Sequence, residues 1–307
     1  MESPQQNCRL CEREADLQES HIVPSFATKW LKETSATGFM RFGQSPNRRV
    51  QDGYRRRWLC RDCEGRLSAW ETKFAALIFH RLNEDGGVSV RYADWLIKFC
   101  ASISWRVLLM MKEDGLLSDF SDRQHHAVEA ALQTWANFML ERVPHPGRFE
   151  QHFLPLDAIE DPARHGMPAN INRYVLRTID LDAVRNSTTA FVLCKMGKFF
   201  VLGFVDVPNP KQWVGTKVHV RDGSIGPSSY TLPAQFGEYI KGKANRYAVV
   251  HNRISDTQRK KIDATLWKDI DRVASSGSFS AMKHDVESFG RDAFSIHRPG
   301  TSDGKSD

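Results

Sequence analysis

Six cysteines are spread over the 307 residues, and four of them form two pairs with two residues between partners, Cys8-Arg9-Leu10-Cys11 and Cys60-Arg61-Asp62-Cys63. Two such pairs supply four thiolates, the ligand set of a closed tetrahedral site, so the spacing predicts a structural Zn2+. The opening residues, from Met1 to Gln6, are polar and lack the basic-then-apolar order of a secretory signal. The expectation is therefore a cytoplasmic protein in a reducing compartment, where paired thiols hold metal more often than they form disulfides. Cys100 and Cys194 fall inside apolar patterns and read as buried thiols. The 48 residues separating Cys11 from Cys60 exceed what a simple zinc ribbon needs, so an insert lies between the two halves of the site.

That insert holds the charge. Between residues 41 and 61 there are seven arginines (Arg41, Arg48, Arg49, Arg55, Arg56, Arg57 and Arg61) against the single acid Asp52, which accounts for the whole net charge of +6. Guanidinium groups concentrated in this way suit forked contacts to phosphate oxygens. Arg48, Arg49, Arg55, Arg56 and Arg57 are the candidate phosphate-binding residues, and a polyanion such as a nucleic acid is the partner the charge suggests. Because Arg55 to Arg57 run into Trp58-Leu59-Cys60 as a short strand, alternate side chains face opposite ways and at most two meet phosphates from one side. Such contacts give affinity with little sequence preference. Trp30, Trp58 and Trp70 read as core and helix-packing residues rather than stacking platforms.

The pattern around the cysteines resembles the zinc-stabilised HNH endonucleases, whose ββα-metal fold sets two cysteine pairs around a histidine-containing strand, a central asparagine and a helix. The residues that carry the resemblance are His21 in Ser20-His21-Ile22-Val23-Pro24, Asn47 in Ser45-Pro46-Asn47-Arg48, and Leu59-Cys60-Arg61-Asp62-Cys63-Glu64. It covers about residues 5–80. The resemblance implies that His21 is the general base that deprotonates water, a task suited to an imidazole. It further implies that Asn47 orients that base or braces its loop, and that a catalytic Mg2+ or Mn2+ offsets charge developing on the phosphate. The family usually places an acid just before the base and a His or Asn after the last cysteine; this chain has Ser20 and Glu64 there. Glu64 is a reasonable oxygen ligand for a hard cation, and Glu71, seven residues on and so on the same helical face, is the second candidate.

These side chains need a frame. The spacing of Phe74, Leu77, Ile78 and Phe79 predicts a helix over about 72–82, directly after the second cysteine pair. Longer helices are predicted at 92–112 and 122–142, packed as a hairpin joining two lobes. Strands are predicted at 172–179, 190–196, 198–206 and 215–221, the middle two joined at Gly197 and the last closing on Asp222-Gly223 as a turn. A short helix follows Pro233 to about Lys241, and a longer one starts at Ser255, with Gln258 at capping-box spacing, and runs towards Ala274. Arg259-Lys260-Lys261 reads as a solvated helix face. The longest apolar stretch, Trp95 to Met111, is interrupted by Lys98 and Arg106 and falls short of the roughly 20 residues a membrane span needs, so no membrane partner is expected.

The expected class is α+β, with an N-terminal ββα-metal zinc domain at 1–82, a central helical hairpin at 83–147, a C-terminal mixed α+β domain at 148–298 and a disordered tail at 299–307. The expected function is a metal-dependent HNH-type endonuclease acting on DNA. Its C-terminal domain would regulate it, bind a protein partner or ligand, or form homo-oligomers, and by family-level analogy anti-phage defence is a plausible setting. The competing expectation is a catalytically inactive zinc-stabilised module that binds nucleic acid or protein.

Overall fold

The computed structural model of the chain describes residues 6–84, 87–226 and 229–295, so the tail expected at 299–307 lies outside the described residues. The class is mixed α+β, 47% helical and 20% strand, and every element after residue 233 is a helix, which tips the balance from strand to helix. In chain order the elements are β1 (Gln6–Asn7), β2 (Glu14–Ala15), β3 (Leu17–His21), α1 (Ser25–Glu33), β4 (Met40–Arg41), β5 (Arg49–Val50) and β6 (Arg55–Cys60). Next come α2 (Arg61–Phe74), a π-helical turn (Ala75–Phe79), α3 (His80–Glu84), β7 (Val90–Ala93), α4 (Trp95–Glu113), α5 (Asp122–Met139) and β8 (Gln151–Pro155). The remainder is α6 (Ile171–Arg177), β9 (Ile179–Arg185), β10 (Ala190–Met196), β11 (Phe199–Asp206), β12 (Asp222–Ile225), α7 (Ala234–Asn252), α8 (Asp256–Lys268), α9 (Ile270–Ser275), α10 (Gly277–Phe289) and α11 (Asp292–Ser295). Among the described residues, no helix is long and apolar enough to cross a membrane.

The chain divides into two compact units that interleave in sequence: residues up to 28, 53–155 and 179–233 form the first, and 29–52, 156–178 and those from 234 onward the second. This division follows contacts rather than the sequence boundaries at 82 and 147.

The first unit is built around an antiparallel sheet of order β8-β11-β10-β9. β10 and β11 read Ala-Phe-Val-Leu-Cys-Lys-Met and Phe-Phe-Val-Leu-Gly-Phe-Val-Asp and are buried along nearly their whole length, as continuous apolar strands covered on both faces must be. The helix predicted at 92–112 is α4, with buried residues on every side, and α5 pairs with it. Both helices pack within this unit against the sheet, where a connector between lobes was expected. Phe74 at the end of α2 stacks on Phe99 of α4 at 4.0 Å and meets Phe153 and Phe199 of the sheet edge-on, so the helix leaving the cysteine cluster is rooted in the main core.

Three predicted elements differ in kind. Residues 172–179 are the helix α6 followed by β9. The apolar positions 171, 174 and 175 have helical spacing, and the Asp285 carboxylate accepts from the backbone N–H of Asn172 and Arg173, fixing a helix start that only tertiary contact supplies. Residues 215–221 form one isolated bridge, Lys217 with His152, instead of a strand. Two backbone bonds make it, from the Phe153 N–H to Thr216 and from the Val218 N–H to Gln151, and side chains add to it: Thr216 Oγ1 lies 2.7 Å from His152 Nδ1, while Glu150 lies 3.3 Å from His152 Nε2 and 2.5 Å from Lys217 Nζ. Asp222-Gly223, expected as a turn, opens β12 and pairs with β7; the phenol of Tyr92 occupies the space a Cβ at Gly223 would need.

In the second unit, α7 runs to Asn252, beyond the predicted end at Lys241, because Phe236, Ile240 and Ala244 continue one buried stripe. Asp269 breaks the predicted 255–274 helix by capping α9 through the N–H of Arg272. Ser255 is the N-cap of α8, but the capping box does not form. Its N–H donates instead to Asn47 Oδ1, at 2.7 Å, and Gln258 accepts from Arg41, at 3.1 Å.

Candidate metal centre and histidine hairpin

Cys8, Cys11, Cys60 and Cys63 are all buried, and their four sulfurs lie within 4.8 Å of one another. The first pair hangs on the turn between β1 and β2, where the N–H of Cys8 donates to Arg13 and the N–H of Glu12 to Cys8. Glu12 takes a φ of 64°, the left-handed conformation that folds the chain back after a two-ligand knuckle. The second pair straddles the junction of β6 with α2, so Cys63 enters from the first helical turn. The Arg9 N–H donates to the Trp58 carbonyl at 2.7 Å and locks the two halves together.

The donor set fits zinc. Zn–S bonds of about 2.3 Å place tetrahedral sulfurs about 3.8 Å apart, and Cys11 and Cys60 stand at 3.8 Å. A disulfide would need about 2.05 Å. Hydrogen bonding from Cys63 lowers the pKa of the Cys8 thiol, towards the thiolate form that binds metal. Arg13 donates to Cys11 Sγ at 3.5 Å and to Asp62 at 3.0 Å, placing a positive charge beside the anionic cluster.

From this cluster β6 runs back antiparallel to β3, with Leu17 opposite Cys60, Ser20 opposite Arg56 and His21 opposite Arg55, and a register shift between Gln18 and Glu19. The shift turns Ser20, fully buried, towards the helix. Its hydroxyl donates to Glu64 Oε2 at 2.5 Å. Glu64 Oε1 makes no hydrogen bond among the described residues, so this half-buried carboxylate has one oxygen anchored and one open. At the strand's end, Arg55 donates from Nε to His21 Nε2 at 3.1 Å and pairs with Glu19 at 3.0 Å. An imidazole nitrogen that accepts this bond is unprotonated.

Behind His21 lies a residue whose role the sequence did not disclose. Arg106 of α4 is buried; it donates to the His21 carbonyl at 2.7 Å and stands 2.6 Å from Glu71. Its only sequence signal was a cation interrupting an apolar helix, which read as a reason against a membrane span. Glu71, a candidate cation ligand, is thus the counter-ion of a buried guanidinium and does not fit a metal site. Among the described residues, the cysteines are the one group of three or more His, Cys, Asp or Glu side chains whose ligand atoms converge, so His21, Glu64 and Glu71 form no such cluster.

Asn47 belongs to the second unit, where its side chain donates to the Arg253 carbonyl at 3.0 Å and accepts from Ser255. The arginine run is divided as well. Arg55, Arg56 and Arg57 in the first unit pair with Glu19, Asp114 and Asp16. Arg41, Arg48 and Arg49 lie in the second, Arg49 stacked 3.9 Å over Phe39. Trp58 and Trp70 are buried, and Trp30 lies under Arg177, as expected of packing residues. No protein-family model, curated protein or solved structure matches this chain.

Proposed function

We propose that the first unit is an HNH-type endonuclease that hydrolyses DNA phosphodiesters with weak sequence preference, on a frame held by a structural Zn2+. The observation that carries this reading is the Ser20–Glu64 bond, which sets a carboxylate from α2 against the strand that ends in His21. Ser20 stands where the resembled family has an acid, and here its hydroxyl positions the acid supplied by Glu64. One open carboxylate oxygen fits Mg2+, which is commonly held by one or two carboxylates together with substrate phosphate. Bound there, the cation would supply charge neutralisation at the phosphate.

His21 is the base. Its Nε2 accepts from Arg55, so it takes a proton from water only after that guanidinium turns away. An incoming phosphate supplies the reason to turn, since a doubly acceptor-bearing anion competes with the exposed Glu19 pair for the Arg55 guanidinium. Arg106 anchors the His21 backbone from behind, limiting the motion to the side chain.

A second reading is a zinc-stabilised binding module without catalysis. It is favoured by the engagement of His21 Nε2 with Arg55 and of Glu71 with Arg106. Incubation of supercoiled plasmid with the full chain and Mg2+ or Mn2+ separates them. Nicking that disappears in His21→Ala, with zinc content and thermal melting unchanged, supports the nuclease. Equal nicking by His21→Ala removes the base assignment, and no nicking by the unaltered protein with either cation supports the binding module.

A further inference from the structure

Five cations of the second unit, Arg48, Arg253, Lys260, Lys261 and Lys268, contrast with the arginines on β6, each of which faces a carboxylate. Asn47 and Arg41, read from sequence as parts of a site around His21 and the phosphate-gripping insert, tie the β4–β5 hairpin to the start of α8 through Arg253, Ser255 and Gln258. This docking sets Asn47, the residue before Arg48, on the Arg253 carbonyl. On α8, Lys261 and Lys268 are seven residues apart and share one face, about 10 Å apart along the axis, with exposed Ala264 between them and Lys260 on the flank. Asp256 and Asp263, four residues before and three after Lys260, could neutralise it, yet neither pairs with it. Among the described residues, Arg48, Arg253, Lys260, Lys261 and Lys268 make no ion pair and no side-chain hydrogen bond.

The helix itself is unusual for a folded protein. All 13 residues of α8 lack a buried side chain, although helices in proteins gain most of their stability from packing an apolar face. Near its end Trp267 is 77% exposed, the most exposed large hydrophobic side chain described. An indole left in water beside a row of unpaired cations matches the two parts of single-strand recognition, an electrostatic track for the backbone and an aromatic plane for bases.

We propose that this face of the second unit, Arg48, Arg253, Lys260, Lys261 and Lys268 with Trp267, binds the phosphate backbone of nucleic acid and stacks on an unpaired base. This goes beyond the reading of His21 and does not rest on it, because binding needs no hydrolysis. An acidic protein surface is the competing occupant. Cations repeated along one exposed helix beside a protruding indole favour a repeating polyanion that carries flat rings.

Fluorescence anisotropy of the full chain, in buffer free of divalent cations, tests this with labelled oligothymidylate and a duplex of equal length at several salt concentrations. The expected result is salt-dependent binding that the triple variant Lys260→Glu, Lys261→Glu, Lys268→Glu weakens more than about tenfold, with a salt slope lower by about 2. Trp267→Ala weakens oligothymidylate at least about fivefold and leaves the duplex within about twofold. Circular dichroism and zinc content confirm folding, which substitutions at the exposed positions 260, 261, 267 and 268 do not disturb. Unchanged affinity in the folded triple variant overturns the proposal, as does an absence of binding by the unaltered protein at low salt. Competition by polyglutamate as strong as that by oligothymidylate overturns it in favour of an acidic protein. Plasmid nicking is read separately: a triple variant that binds as before while His21→Ala stops nicking ends this proposal and leaves the nuclease standing, and the reverse outcome does the opposite.

Discussion

One run of sequence, residues 41–61, supplies basic side chains to two regions that treat them in opposite ways. On β6, Arg55, Arg56 and Arg57 each face a carboxylate; the strand ends in the four-cysteine cluster, and its partner β3 is held at the His21 carbonyl by a buried arginine. In the second unit the side chain of Arg48, like those of Arg253 and the lysines of α8, has no ion-pair partner among the described residues, and its neighbour Asn47 is tied to the Arg253 carbonyl. Paired arginines shape a site and exchange partners when a stronger anion arrives. Unpaired cations on an unburied helix contribute little to folding and remain available to a partner. Charge density along a chain therefore says little about which arginines bind.

This contrast can be broken at several strengths. The largest effect is expected at the frame. Structural zinc is worth roughly 10–16 kcal/mol in apparent folding energy, so Cys60→Ser should lose bound zinc and collapse the β3–β6 hairpin, read by metal content and a fall in melting temperature. Next is the buried pair. Arg106→Met leaves Glu71 without its counter-ion and should cost about 3–5 kcal/mol in urea unfolding, and adding Glu71→Leu should restore most of it, because the penalty comes from the uncompensated charge.

Acid comes third. The hydrogen bond to His152, with help from Lys217, holds the Glu150 carboxyl at about 2, below its ordinary 4.5. A group lowered on folding stabilises the fold above its unfolded value, so this stability is present above about 4.5 and is lost as pH falls towards 2. Burial lowers the pKa of His152 as well, so its protonation also favours the unfolded chain. The expected loss is on the order of 2–3 kcal/mol, measured by urea unfolding across pH, and Glu150→Gln should flatten that dependence. The smallest effect is at Arg57, whose exposed pair with Asp16 should cost less than about 1 kcal/mol when replaced by Gln. A larger loss there would mean that the β6 arginines are structural and the contrast between the two regions is weaker than drawn.

Much of the candidate site was legible in the sequence. Cysteine spacing announced the cluster, and His21 and Glu64 do share a strand–helix frame, with Glu64 reaching Ser20. Cys100 and Cys194 are buried thiols, and burial pushes Cys194 up to about 12. Glu71 and Asn47 were not legible, since a glutamate seven residues along a helix looks the same whether it faces a cation or Arg106. Likewise Ser255 and Gln258 have the spacing of a capping box, but Asn47 and Arg41, more than two hundred residues away in sequence, claim their hydrogen bonds. Residues 172–179 were assigned to the wrong class because the cap that starts α6 is Asp285.

Sequence by itself determined what depends on near neighbours: two knuckle-spaced cysteine pairs, the long helices, the β10–β11 hairpin and the concentration of arginine. Tertiary structure alone decided which cations are neutralised, which carboxylate of α2 reaches Ser20 and which asparagine serves which unit. The physical reason is that hydrogen bonds and ion pairs are settled by whichever partner folding brings within about 3 Å, and for Arg106, Asn47 and Asp285 that partner lies on another segment of the chain.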